Sequence, residues 1–69
     1  MTMEDKIKKV CRIQGISLSE LGRRVGLQQS VISRRVKTGK FTQEELAILA
    51  RAMGCKYHSY FEFPDGERV

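Results

Sequence analysis

A mainly α fold is expected for this chain: a four-helix bundle followed by a short C-terminal β strand or hairpin. Three observations lead there. Apolar residues recur three and four apart in segments that stop at Gly15, Gly26, Gly39 and Gly54. The stretches ISLSEL and FTQEEL repeat one helix-start grammar. In YHSYFEF the period changes from helical spacing to strand-like alternation.

The first helix is expected from Met3 to Gly15, with Ile7, Val10 and Cys11 on its inner side and a left-handed Gly15 ending it. Ser17 then fits an N-cap, with Glu20 closing a capping box and Ile16 and Leu21 forming a hydrophobic staple. That second helix stops at Gly26, its inner side being Leu21 and Val25. Leu27 and Gln28 make the turn, and a third helix runs to about Lys37, with Ile32 and Val36 four apart on its core side. Thr38-Gly39-Lys40 ends it. Thr42 caps the fourth helix with Glu45 as reciprocal partner and Phe41 and Leu46 as staple. Leu46, Leu49, Ala50 and Met53 form its buried stripe. Beyond it, Tyr57, Ser59, Phe61 and Phe63 alternate with His58, Tyr60 and Glu62. Pro64-Asp65-Gly66 is a turn signal after which residues 67–69 can pair back. The chain divides into a helical domain, residues 1–56, and a β tail, residues 57–69, expected to serve dimerisation through Tyr57, Tyr60, Phe61 and Phe63.

Sixty-nine residues make one domain with one small core, a size at which a disulfide, a metal or a second subunit is often needed. The N-terminus MTMEDKIKKV has no apolar signal segment and no run reaches membrane-spanning length, so a cytoplasmic protein with no membrane partner is expected. Cys11 and Cys55 lie outside zinc and redox-pair spacings and are expected as small apolar core residues. His58 is the only histidine. Nothing assembles a nucleophile, base and acid, so no enzyme, metal, cofactor or small-molecule substrate is expected.

Charge is distributed unevenly. Residues 1–16 carry four bases and two acids, residues 17–40 six bases and only Glu20, and residues 41–69 three bases and five acids. A concentrated basic patch suits a polyanion, although charge alone fits a solvated face equally well.

Two short helices joined by a glycine turn, with Leu21, Val25, Leu27 and Ile32 apolar, make a helix-turn-helix within the bundle. Gly22 lets the two helices approach, since a larger side chain would strike the second one. Here the chain resembles the Cro and lambda-repressor family of helix-turn-helix DNA-binding proteins. The resemblance runs from about Ile7 to Met53, with its centre in LSELGRRVGLQQSVISRRVKTG.

That resemblance implies a sequence-specific regulator bound to double-stranded DNA, a Cro-like repressor whose second motif helix enters the major groove. It also implies roles residue by residue. Gln29 matches the glutamine that typically reads adenine, flanked by Gln28 and Ser30, and Ser33 and Arg34 match positions that commonly face bases. Arg34 suits the two acceptors of guanine, and Val31 could meet a thymine methyl. Arg23, Arg35, Lys37, Thr38 and Lys40 suit phosphates, which position without specifying. Many family members start the first motif helix with a glutamine; here Leu18 stands there, so either Ser17 or Ser19 contributes that contact or it is lost. A homodimer would set two recognition helices about 34 Å apart. The competing class is an antitoxin or other protein-binding module on the same scaffold. DNA binding through several phosphates weakens steeply with salt, whereas an apolar partner interface does not.

Overall fold

The computed structural model describes residues 1–59 and 61–69. It contains four helices: α1 (Met3–Gln14), α2 (Leu18–Val25), α3 (Gln29–Thr38) and α4 (Gln43–Ala52). Helix α2 packs on the other three, and α3 also packs on α1. No helix among the described residues is long and apolar enough to cross a membrane.

Local chemistry accounts for the helix ends. The Thr42 hydroxyl accepts from the Glu45 N–H while the Thr42 N–H donates to the Glu45 carboxylate, the expected capping box. A second complete box, unforeseen, opens α1: Thr2 and Asp5 satisfy each other in the same way. At α2 the box is only half made. Ser17 Oγ accepts from the Glu20 N–H at 3.1 Å, but the Glu20 carboxylate turns to Arg23 and Arg24 instead. Two guanidiniums outcompete one backbone donor, since charged pairs make the stronger hydrogen bonds. Gly15, Gly26 and Gly39 end their helices in the left-handed region, as a residue without Cβ allows. Helix α4 is likewise followed by a left-handed glycine, Gly54 at φ 78°, and gains side-chain donors as well: Arg24 donates to the Ala52 carbonyl and Gln14 to the Met53 carbonyl, both at 2.8 Å. Side chains of α2 and α1 thereby serve acceptors that a helix end leaves open.

The core follows the apolar periodicity. Ile7, Cys11, Leu21, Ile32, Val36, Leu46, Leu49, Ala50 and Met53 are buried, and Leu21, Ile32 and Val36 are fully so. Both staple leaders, Ile16 and Phe41, pack against this cluster, with Val10, Val25 and Leu27. Cys11 is an apolar core residue as expected, and burial pushes its thiol pKa up. Cys55 is not: it lies exposed beyond α4, past the end of the buried stripe.

The tail is shorter in regular structure than its alternation suggests. Residues 61–63 pair with residues 67–69: Phe61 and Val69 exchange backbone hydrogen bonds, and the Phe63 N–H donates to the Glu67 carbonyl at 2.6 Å. Glu62 and Arg68 face each other across this small hairpin and form an ion pair at 3.2 Å. Tyr57 and Ser59 precede the pairing and are not in a strand. Two strands without a third layer support only a short ladder. Phe61, Phe63 and Val69 share the opposite face and remain open, 79%, 49% and 68% exposed. Tyr60 lies outside the described residues.

Helices α2 and α3 meet at Gly22. A Cβ there would stand 2.9 Å from Ile32 Cγ2 and 2.9 Å from the Leu27 carbonyl oxygen. Gly22→Ala is therefore expected to destabilise the fold by about 1–3 kcal/mol, because Ile32 is fully buried and the other obstacle is backbone. Thermal unfolding checks this: an unchanged or higher melting temperature would show that the two helices can separate freely.

Candidate nucleic-acid interface

The corner between α2 and α3 decides which side of α3 is left open. Gly26 takes φ 77°, and the Leu27 N–H donates to the Gly22 carbonyl at 2.7 Å, turning the chain within two residues. Ile32 and Val36 then anchor α3 in the core. The remaining side carries Gln28, Gln29, Ser30, Arg34 and Lys37, all exposed, with Val31 and Ser33 half-buried at its margin. Neither the tail nor another helix covers this row among the described residues. Among the described residues, Gln28, Gln29, Arg34, Lys37 and Lys40 form no side-chain hydrogen bond or ion pair.

The start of α3 also differs electrostatically from the others. Acids stand in the first turns of α1, α2 and α4, but none stands in that of α3, and Gln28 makes no side-chain cap bond. The positive end of the helix dipole is left without an internal counter-charge. An anion approaching that end meets oriented N–H groups and, farther along, Arg34 and Lys37.

The residues singled out for phosphates separate into two groups. Lys37 and Lys40 are exposed and form no ion pair among the described residues, and Arg23 is exposed while touching Glu20 at 3.2 Å. Ser17 sits at the tip of α2 with its oxygen accepting the Glu20 N–H, and Ser19 is half-buried within the first turn. Thr38 turns its hydroxyl back to the Arg35 carbonyl at 2.9 Å. Arg35 departs most from the phosphate expectation: its guanidinium is ion-paired with Glu45 and lies over the Phe41 ring, 5.1 Å from the centroid. A half-buried cation with a carboxylate and an aromatic face beside it is held by the protein itself. Arg35 thus ties α3 to the start of α4.

Two functional contacts were not foreseen from the sequence. The Glu20–Arg24 spacing of four was a usable signal for the surface pair, but the reach of Arg24 to Ala52 was not legible. Nor was the Arg35–Glu45 pair, whose members belong to different helices. The dimerisation candidates Tyr57, Phe61 and Phe63 are exposed.

Comparison with known families finds a match to the helix-turn-helix family model of the Cro/C1 type over residues 7–59. No curated protein and no solved structure matches the chain.

Glu45 is the hub of the α3–α4 tie, and its pKa is lowered, first by the hydrogen bond from the Thr42 backbone and then by Arg35. A carboxylate whose folded pKa lies below its unfolded value of about 4.3 adds stability above that value. The contribution fades as pH falls through the lower, folded pKa. Thermal melts of wild type and Glu45→Gln should therefore differ most near neutrality and converge as pH is taken below about 4. A gap that stays constant over that range would remove the carboxylate from this role.

Proposed function

The chain belongs to the Cro/C1-type helix-turn-helix family of DNA-binding transcription regulators, and from that premise we propose that it is a Cro-like repressor acting as a homodimer. The family is regulatory rather than enzymatic. In this reading α3 enters the major groove and the protein represses by occupying an operator. The observation that supports it is the open α3 row: a helix held from behind by Ile32, Val36 and Arg35 presents Gln28, Gln29, Ser30 and Arg34 with no partner covering them.

The roles follow from hydrogen-bonding capacity. The Gln29 amide can donate and accept at once, matching the adenine edge, and Arg34 can donate twice to guanine. Gln28, Ser30 and Ser33 complete the base-facing set. Lys37, Thr38, Lys40, Arg23, Ser17 and Ser19 fix the approach through phosphates. Arg35 works one step behind them: by holding α3 against α4 it sets the angle at which the row meets the groove. Two subunits would set two such rows about 34 Å apart along the DNA, matching a near-palindromic site.

Selection of bound duplexes from a random pool, repeated with variants, tests this. Gln29→Ala and Arg34→Ala should each cost about 1–3 kcal/mol on the selected site and relax base preference at one position. Lys40→Ala should weaken every duplex alike and reduce the salt slope by about one. If Arg34→Ala leaves the ranking of sequences unchanged, the readout assignment is wrong. Absence of any duplex binding, with salt-insensitive capture of a protein instead, would favour the protein-binding use of the scaffold.

A further inference from the structure

Opposite its buried stripe, α4 presents Glu44, Ala47, Ile48 and Arg51, three and four residues apart on one face. All four are exposed, Ile48 at 58%. Neither Glu44 nor Arg51 forms an ion pair among the described residues, although the adjacent Glu45 is fully engaged. A base near a helix C-terminus commonly serves the last carbonyls. Here Arg24 and Gln14 serve Ala52 and Met53, so Arg51 is left facing outward.

This face is complementary to itself in one direction only. Glu44 and Arg51 stand two turns apart, roughly 10 Å, with Ala47 and Ile48 midway. Laid antiparallel on a second copy, about a twofold axis crossing between Ala47 and Ile48, each Glu44 meets the other copy's Arg51. Parallel pairing would set Glu44 on Glu44 and Arg51 on Arg51, which repels. We propose that a second copy of this chain seats antiparallel on the Glu44–Ala47–Ile48–Arg51 face of α4, with Ile48 at the centre and reciprocal Glu44–Arg51 pairs at the two ends. The inference rests on the homodimer proposed for DNA binding and names the surface that makes the pair.

Four residues are too few for the roughly 800 Å² that each partner buries in a stable interface. The C-terminal segment extends the contact. After Gly54 the chain folds back along α4: Ala47 and Arg51 line one cleft with residues 54–58, and Gln43 Nε2 donates to Ser59 Oγ at 3.0 Å. The hairpin thus begins beside the N-terminal end of α4. In the antiparallel pair that end overlies the other copy's basic cleft, whose lining includes Arg51 and Lys56. Acids at the hairpin turn, Asp65 and Glu67, match that charge, and the open Phe61–Phe63–Val69 face adds apolar area.

The test is sedimentation of the full chain without DNA, comparing wild type, Glu44→Arg, Arg51→Glu, an equal mixture of the two, and the double exchange. Wild type should dimerise, and each single variant should associate roughly tenfold more weakly or worse. The mixture should recover association, because an all-basic face meets an all-acidic one, and so should the double exchange. Both single changes oppose the helix dipole, so the mixture is the deciding arm: it restores the pairing without restoring the dipole. Circular dichroism of each variant confirms that the helices persist. Three results overturn the proposal: a monomeric wild type, a single variant that associates like wild type, or a mixture as weak as its components. Because no DNA is present, failure here leaves the base-readout assignment standing, and failed duplex selection leaves the dimer surface standing.

Discussion

Close approach of α2 and α3 at Gly22 is the constraint on which the remaining geometry depends. With no side chain at that position, Ile32 reaches the backbone of α2, and the Leu27 N–H closes the corner onto the Gly22 carbonyl. Ile32 and Val36 can then both be fully buried beside Leu21. A helix of ten residues buried along one row necessarily lifts the opposite row away from the protein. The exposed glutamines and Arg34 are the counterpart of that burial.

Charge reinforces the geometry. Acids sit at the starts of α1, α2 and α4, where they complement the dipole and are drawn into caps or ion pairs, and the start of α3 has none. The basic residues of the middle of the chain are not equivalent either. Glu20 holds Arg24 and touches Arg23, and Glu45 holds Arg35, so among the described residues the cations left unpaired around α3 are Arg34, Lys37 and Lys40. Net charge by itself would have assigned all six to one polyanion surface. Pairing divides them into residues that assemble the scaffold and residues that face outward.

The C-terminal segment shows how little of a small protein goes unused. The helices complete one core by Met53, and the segment beyond it adds almost no burial: Phe61 and Phe63 extend into solvent on a two-stranded hairpin held to α4 through Gln43 and Ser59. A hairpin of that size has little stability of its own. Among the described residues, the apolar face of the hairpin and the outer face of α4 both stay exposed, surface that a second subunit can remove from water.

Much of this was legible in the residues. Helix spans, the glycine stops, the Ser17 and Thr42 caps, the core rows and the close contact at Gly22 all follow from periods and turn chemistry that act within a few residues, and so does the outward row of α3. The sequence could not show how cations are shared among carboxylates. Arg35 resembles a phosphate ligand in the sequence because a charged side chain in a basic stretch has no visible partner until folding brings Glu45 and Phe41 beside it. For the same reason Arg24 and Gln14 could not be placed on the end of α4, nor Cys55 recognised as exposed. Local conformation is written in neighbours along the chain; which long side chain meets which charge is decided only where separate helices converge.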